Sequence, residues 1–323
     1  MGGAGGVAAR AHRLLALVVA ALPVWASAEP RARVHMATFT TRMYLDRFAK
    51  SLAAKEAYAR HWGYTWEVFD EASLSCADFR PHRWRGDYRY CKLEALEVMR
   101  LRLGRQPGES PGRDYVFWHD VDTHIMRPET PLESFLEAAG HAPVVFTDNA
   151  LSLNNGVFFL DVAGGADFLQ LWRRGCSDGE WPWADNGCMY EVLLRMVGGD
   201  RYGGRCGGFR EPDFDPSRPE PPTGAELMTC FNEEMDALGV GCCGKDRAIE
   251  GFAFLTGAED SFNHHPCEQL ERSKDFAEEP RAKIRAHCHS DGMFMAHTKD
   301  DAYADASHGR VQAFLESKSK AEL

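Results

Sequence analysis

The sequence lacks an excess of positive charge. It contains 37 Lys and Arg residues against 48 Asp and Glu residues, which gives a formal net charge of −11 with neutral histidines. Proteins that bind nucleic acid use a basic surface to neutralise phosphates, and proteins attracted to acidic membranes carry polybasic clusters. Neither feature occurs here, so the composition argues against nucleic acid as a partner. An acidic site that recruits a cation fits it better.

A long hydrophobic run is also missing. The most apolar stretch, residues 14–25, is shorter than the roughly 20 residues that span a bilayer comfortably. A basic flank at 10–13 precedes it and the small residues 26–28 follow it, which is the layout of a secretory signal. We therefore expect residues 1–28 to be a cleaved signal peptide, with a short type II anchor as the alternative. Either a signal peptide or an anchor directs the rest of the chain to the secretory pathway. We expect a protein of the Golgi lumen or membrane, or a secreted protein, and the anchor would be its only contact with a membrane.

The sequence has no pair of Cys-x-x-Cys elements. Its ten cysteines all follow residue 28, and in an oxidising compartment we expect most of them to pair. Disulfides that staple a loop-rich C-terminal half are the favoured interpretation, and a zinc site is the competing one. Eight cysteines cluster late in the chain, at Cys176, Cys188, Cys206, Cys230, Cys242, Cys243, Cys267 and Cys288.

The first half of the chain alternates strand-like and helix-like segments, which predicts an α/β domain with a parallel-dominated sheet covered by helices. Apolar spacing and β-forming residues distinguish the two kinds of segment, and Gly63 is expected to end the first helix. The predicted strands are 33–39, 64–69, 115–118, 143–146 and 156–160; the predicted helices are 41–62, 91–103, 131–139, 166–173 and 186–196; the predicted loops are 104–112 and 198–224.

Two carboxylates, Asp120 and Asp122, follow the buried strand predicted at 115–118. Side chains alternate along a strand, so the two carboxylates converge only if the chain bends out of the strand there. An Asp-x-Asp spacing alone is weak evidence, because a solvated turn has it too. Its position favours a functional site, since open α/β sheets bind ligands at the carboxyl ends of strands and carboxylates beside a buried strand need a partner.

Four segments of the sequence, in this order, resemble the retaining galactosyl-, mannosyl- and xyloglucan xylosyl-transferases. The first is similar to the family's strand, Trp and acidic triplet, and the second to its Leu-Asn-x-Gly-x-Phe and Leu-x-x-Trp stretch. The last two resemble its closing Asn-x-Tyr-Pro turn and Gly-Asp-x-x-x-His strand. The four segments are residues 115–126, 153–172, 262–266 and 291–297.

The resemblance implies a GT-A fold, a Rossmann-like nucleotide-diphospho-sugar transferase domain with a mixed sheet flanked by helices, over residues 29–305, with a C-terminal tail over 306–323. It implies that Asp120 lies near the ribose and the metal, that Asp122 binds the metal, and that His297 is the last protein ligand. Carboxylates, one imidazole and two diphosphate oxygens suit Mn²⁺, with Mg²⁺ less favoured. The implied reaction moves a hexosyl or pentosyl group from a UDP- or GDP-sugar to a glycan or glycoprotein acceptor, with retention of configuration.

Other family positions are matched less closely. The family's Asp-Gln pair corresponds to Asp185 and Asn186. The resemblance implies that Asp185 hydrogen-bonds sugar hydroxyls or stabilises positive charge at the anomeric carbon, whereas Asn186 offers the same amide on a shorter stem. The glycine that follows this histidine in the family is missing after His297. Lys299 in this segment has two interpretations, a contact with the diphosphate or a solvated surface lysine.

Three more residues are candidates for the donor site. Asn154 and Asn155 stand in a predicted turn, where asparagine commonly shapes the turn itself. Their functional interpretation is contact with the donor sugar or acceptor, with Asn155 assigned to the catalytic group and Asn154 to the donor-binding group. Lys92 follows Cys91 where the family has a Trp-Lys element near the nucleotide, so the resemblance implies a donor-site role for it.

Two other function classes remain open from the sequence. His119 and His124 flank the triplet, as they would in a secreted metal-dependent hydrolase, although no distant acidic and histidine set matches them. Asn186 keeps open a catalytically inactive secreted module that binds a sugar nucleotide or glycan. A requirement for a nucleotide sugar distinguishes the transferase from both.

Overall fold

The computed structural model describes residues 32–76, 88–104, 113–149, 152–210, 223–240, 247–255, 262 and 293–321. The strands are β1 (Arg33–Phe39), β2 (Thr65–Phe69), β3 (Asp114–His119), β4 (Thr123–Ile125), β5 (Val144–Asn149), β6 (Ser152–Asp161), β7 (Arg247–Ile249), β8 (Phe252–Leu255) and β9 (Met295–His297). The helices are α1 (Arg42–Arg47), α2 (Ala49–Trp62), α3 (Cys91–Leu103), α4 (Glu133–Ala138), α5 (Ala166–Ser177), α6 (Asp185–Gly198), α7 (Gly224–Ala237) and α8 (Asp301–Ala321).

Seven of these strands form one mixed sheet in the order β2-β1-β3-β6-β5-β8-β7. β1 runs parallel to β2 and β3, and β5 runs parallel to β8. β6 is antiparallel to both β3 and β5, and β7 is antiparallel to β8. β4 and β9 form a separate antiparallel pair. The mixed sheet and its helices confirm the predicted α/β class, but parallel pairing does not dominate, because three strand pairs of the sheet are parallel and three are antiparallel.

The sheet is buried on both faces, and β3 shows how. Tyr115 and Phe117 point into one apolar cluster, where the sheet packs against α2, α4 and α8. Val116 and Trp118 point into the other, where it packs against α3, α5, α6 and α7. A strand buried on both faces reads as a continuous apolar run, which is why residues 115–118 were recognisable. Because β3 is buried along its whole length, polar side chains can gather only beyond its end.

The helix predicted over 41–62 is two helices, α1 and α2, that meet at Phe48. Phe48 is fully buried, and its ring packs against Tyr44 and His124. Its φ of −101° and ψ of 20° depart from helical values, so tertiary packing of this side chain interrupts the helix. Gly63 ends α2 as predicted, with a φ of 77° that suits glycine.

The turn predicted at Asn154 and Asn155 is wrong, because these residues belong to β6. The pairing of β5 with β6 extends through Asp148 with Leu153 and Asn149 with Ser152. Leu153 is also buried, and its carbonyl accepts a hydrogen bond from the Tyr190 hydroxyl. Strand pairing and burial therefore outweigh the turn preference of the two asparagines.

Three disulfides confirm the expectation that cysteines pair. One, Cys76–Cys91, lies in the first half of the chain and joins the start of α3 to the segment after β2. Cys176–Cys188 joins α5 to α6, and Cys206–Cys230 fastens part of the predicted loop 198–224 to α7. All six cysteines in the described part are paired, so none of these six is a zinc ligand. Cys242, Cys243, Cys267 and Cys288 lie outside the described residues, as does most of the predicted loop 104–112.

Helix α8 runs across residue 306, where the C-terminal tail was predicted to begin. It packs on α2: the ring of Phe314 lies 4.8 Å from that of His61 and 6.5 Å from that of Trp62. Residues 1–28 lie outside the described residues. Within the described part, no helix combines the length and the apolar character needed to cross a membrane.

Candidate functional site

Asp120, Asp122 and His297 come together where β3 ends. After β3 the chain turns into β4, which pairs with β9 so that Thr123 lies opposite His297. One ligand atom from each of the three residues lies within 4.8 Å of the others. The Nε2 atom of His297 is 3.4 Å from Oδ1 of Asp122. The structure thus assembles the three residues that the sequence singled out as metal ligands, and the Asp-x-Asp pair fits the predicted motif.

The bend that the two carboxylates require is held by backbone hydrogen bonds. The Asp120 N–H donates to the Gly156 carbonyl at 2.6 Å, which keeps the end of β3 beside β6. The Thr123 N–H and hydroxyl both donate to the Asp120 carbonyl, which closes the turn. The Thr298 N–H donates to the Asp122 carbonyl at 2.9 Å and so binds the turn to the residue after His297. The indole of Trp118 donates to Oδ1 of Asp120 at 2.9 Å.

Lys92 connects this cluster to two more predicted residues. Its ammonium group, with only 4% of the side chain exposed, lies 3.2 Å from Oδ1 of Asp120 and 2.9 Å from Oδ2 of Asp185. It also donates to the side-chain oxygen of Asn155 at 2.7 Å and to its carbonyl at 2.9 Å. One buried cation therefore holds groups from β6, α6 and the turn after β3 in a single network.

The two carboxylates of the Asp-x-Asp pair lie in unequal environments. Burial raises the pKa of Asp120, and the charges of Asp122 and Asp185 raise it further, while Lys92 and His297 oppose them. Burial acts the same way on Asp122, but the charge and hydrogen bond of His297 and the charge of Lys299 hold the pKa of Asp122 well below its ordinary value. Lys299 is exposed, and its carbonyl accepts a hydrogen bond from Arg47.

The three asparagines differ in what their side chains bind. Asn186 accepts a hydrogen bond from the Asn155 N–H at 3.0 Å, and Asn154 accepts one from the Gly156 N–H at 2.7 Å. Both therefore support the backbone of β6. The side-chain nitrogen of Asn155 is buried and has no hydrogen-bond partner among the residues that the structure describes, so its donor capacity is unused.

A strained turn precedes Asp185. Trp183 and Ala184 adopt positive φ values of 60° and 51°, a conformation rare for residues with side chains. Trp172 donates from its indole to the Asp185 carbonyl at 3.0 Å, and Cys188, bonded to Cys176, ties the same first turn of α6 to α5. Such strain persists only where the surroundings hold it, and it is concentrated at functional sites.

His119 and His124 do not join the carboxylate cluster. His119 is fully buried with its ring stacked 5.2 Å from that of Trp66. His124 hydrogen-bonds the Ser51 hydroxyl and the Thr298 carbonyl. Burial, with a smaller contribution from the charge of Lys55, lowers the pKa of His124 to about 4. Both rings are packed inside the fold, contrary to the arrangement that a hydrolase with these two ligands needs.

Two residues of the site were missed from the sequence. Gly156 allows the ring of His297 to lie against β6, because a β-carbon added there would stand 2.2 Å from Cε1 of His297. Lys55 is fully buried beside the turn after β3. Burial lowers the pKa of Lys55 to about 7, although the charges of Asp122 and Asp120 act to raise it. Gly156 was visible as a glycine at the start of the predicted apolar strand 156–160, and a glycine in a strand is a sign of close approach. Lys55 stands in a helix with an ordinary mixture of Ala, Glu and Lys, so no local signal marks it.

A separate cavity of about 390 Å³ lies between α5, α6 and the 3₁₀ turn Arg205–Phe209. Its wall includes Arg174, Trp181, Glu191 and Arg195. None of the predicted site residues lines it, so this cavity is distinct from the carboxylate cluster.

Comparison with known proteins identified similar solved structures. No protein-family model and no curated protein matches the sequence. One similar structure is a glycosyltransferase involved in glycosylation of the major capsid of PBCV-1, with a TM-score of 0.41 and 10% identity over 87% of this chain and 99% of that one. Another is the galactosyltransferase LgtC in complex with donor and acceptor sugar analogues, with a TM-score of 0.37 and 13% identity over 88% of this chain and 95% of that one. At this level of similarity, function has to be inferred from the residues of the site itself.

Proposed function

We propose that this protein is a metal-dependent glycosyltransferase that uses a nucleoside-diphosphate sugar. The observation that carries the proposal is the convergence of Asp120, Asp122 and His297 at the end of a buried strand, with Lys92 joining them to Asp185. A solvated turn would leave these side chains in water. Here the carboxylates are half-buried and charge-compensated by Lys92 and His297, as a ligand site requires.

The three proposed ligands suit a divalent cation. Two carboxylate oxygens and one imidazole nitrogen fit Mn²⁺ better than Mg²⁺, which prefers oxygen. Their mutual separations of up to 4.8 Å are about twice a metal–oxygen distance of roughly 2.0–2.6 Å, as ligands of a single ion should be. A cation held there would neutralise the charge that develops on the departing nucleoside diphosphate.

The chain's own groups have distinct proposed roles in transfer. Asp120 is proposed to contact the ribose as well as the cation, and the exposed ammonium of Lys299 to contact the diphosphate. Asp185 is proposed to face the sugar and stabilise positive charge at its anomeric carbon, with Lys92 fixing its direction at 2.9 Å. The side-chain nitrogen of Asn155, which has no partner in the described part of the chain, is proposed to donate to a sugar hydroxyl.

Asn154 and Asn186 are proposed to act through β6. Their hydrogen bonds to the backbone of Gly156 and Asn155 hold this strand beside the turn. Asn186 thereby keeps a second candidate open, a secreted module that binds the nucleotide sugar or a glycan without transfer, because its amide oxygen is already engaged within the protein. We propose the secretory lumen as the location, which the three disulfides support, and a glycan or glycoprotein as the acceptor.

The test combines binding with turnover. Thermal melting with Mn²⁺ and a panel of UDP- and GDP-sugars should show stabilisation by one donor, since ligand binding to the native state raises its stability. The protein should then consume that donor, and chelation of Mn²⁺ should stop the reaction. Proton NMR of the product should show that the anomeric configuration is retained.

Two matched variants make the result specific. Asp122→Asn should lose metal-dependent turnover while melting as a folded protein, whereas Glu137→Gln, which removes an exposed carboxylate on α4, should keep full activity. Full activity in Asp122→Asn would refute the metal assignment. Donor binding without consumption would favour the inactive binding module instead.

A further inference from the structure

Helix α2 presents two fully buried polar side chains, Ser51 and Lys55, to the turn after β3. They are four residues apart and so lie on the same face of the helix. A lysine is almost never fully buried unless it has partners.

The Lys55 ammonium donates to two consecutive backbone carbonyls, those of Asp120 and Val121, both at 3.1 Å. The Asp120 carbonyl also accepts the hydrogen bonds from Thr123 that close the turn. One charged group therefore fixes two successive peptide groups, those on either side of the Val121 α-carbon. The directions of the Asp120 and Asp122 carboxylates depend on the backbone conformation of this segment.

Ser51 performs a neighbouring but different task. Its hydroxyl donates to the Thr123 carbonyl at 2.9 Å and contacts Nδ1 of His124 at 3.0 Å. It thus secures the start of β4 and leaves the carbonyls of Asp120 and Val121 untouched. Because Ser51 is equally buried on the same helix, its loss measures the effect of removing a buried hydrogen bond between α2 and β4 while the Asp120 and Val121 carbonyls keep theirs.

We propose that Lys55 is a positioning residue of the metal site, which holds the 120–123 turn in the shape that directs Asp120 and Asp122 toward His297 before a cation binds. The inference rests on the proposed function for the identity of the cation. The effect on the turn does not depend on it. The ammonium is fully buried and donates to backbone carbonyls, so Lys55 acts through the turn rather than on the reacting atoms.

The experiment compares Lys55→Met, Lys55→Gln and Ser51→Ala with the wild type. Methionine keeps the aliphatic stem and removes both donors. Glutamine keeps a neutral N–H donor on a shorter stem, which cannot reach both carbonyls as lysine does. Hydrogen exchange of the peptide spanning 118–125 is measured without metal, and the Mn²⁺ dissociation constant is measured by titration calorimetry.

In Lys55→Met we expect exchange of the turn to accelerate by about tenfold and the Mn²⁺ dissociation constant to rise by about tenfold, because two buried carbonyls lose a charged donor. Lys55→Gln should show a smaller change in the same direction. Ser51→Ala should stay within about twofold for Mn²⁺, since it leaves both carbonyls bonded.

Several outcomes would overturn the inference. If Lys55→Met binds Mn²⁺ as tightly as Ser51→Ala, or more tightly, Lys55 does not position the site. If Lys55→Met does not fold, Lys55→Gln decides: exchange and affinity equal to those of Ser51→Ala would refute the proposal. A wild type that binds no Mn²⁺ would contradict the proposed function, and the exchange comparison would then still decide whether Lys55 fixes the turn.

Discussion

The ring of His297 lies directly against Gly156, so closely that a β-carbon at position 156 would stand 2.2 Å from Cε1 and 2.7 Å from Nδ1 of the imidazole. The contact joins β9 to β6 at the carboxylate cluster. A side chain at position 156 would overlap the ring, so this glycine determines how closely His297 approaches Asp122.

Substituting Gly156→Ala should therefore displace His297. We expect the dissociation constant for Mn²⁺ to rise by about 10–100-fold, the usual cost of disturbing the support of a metal ligand, and stability to fall by about 1–3 kcal/mol from overpacking. Calorimetric titration and urea unfolding measure the two effects. Gly203→Ala is the control, because a β-carbon there meets nothing within 4 Å; equal effects in the two variants would contradict the prediction.

Lys92→Met should destabilise the protein strongly, because it leaves Asp185 buried without its cation. Removing one partner of a buried ion pair costs about 3–5 kcal/mol. Urea unfolding measures the loss. The double variant Lys92→Met/Asp185→Asn should recover part of it, since the uncompensated charge is gone. A loss below about 1 kcal/mol in the single variant, or no recovery in the double one, would show that Lys92 does not balance this carboxylate.

Asp114, at the opposite end of β3, should make stability depend on pH. Burial would raise the pKa of Asp114, but hydrogen bonds from Arg33 at 2.7 Å and His35 at 2.9 Å hold it below its ordinary value. A depressed pKa in the folded state contributes stability that is present above the unfolded value of about 3.9 and is lost as the pH falls through the folded value.

Unfolding free energies at about pH 5 and pH 3 test this. The wild type should lose more stability over this interval than Asp114→Asn, which has no carboxyl group to protonate. Glu137→Gln, at an exposed position, should behave as the wild type does. If Asp114→Asn lost as much stability on acidification as the wild type, the prediction would be wrong.

Elements whose pattern is local were predictable from the sequence. The strand at 33–39 and the helix at 91–103 have their predicted bounds, because burial and periodicity coincide within each segment. The break at Phe48 was not predictable because it results from packing against the distant His124. The extension of β6 back to Ser152 was not predictable because it depends on pairing with the preceding strand β5 and on a hydrogen bond from Tyr190 to Leu153. Local preference favoured a continuous helix and a turn, and tertiary packing overrode both.

The candidate site divides in the same way. Asp120 and Asp122 were visible because they follow a recognisable buried strand. Their relation to His297 came from a resemblance, and the structure assembles the three. Lys55 and the backbone roles of Asn154 and Asn186 could not be read from the sequence, because each depends on which face of an element meets the turn.

The network around the turn brings together residues that are far apart along the chain. Lys92 and Asp185 are separated by 93 positions, and His124 and Thr298 by 174. Contacts of such long range form slowly, because the entropy of closing the intervening chain is lost before they stabilise the fold. A nascent or truncated chain that ends before residue 295 has the acidic pair but not His297, so the complete cluster forms only after β9 has been synthesised.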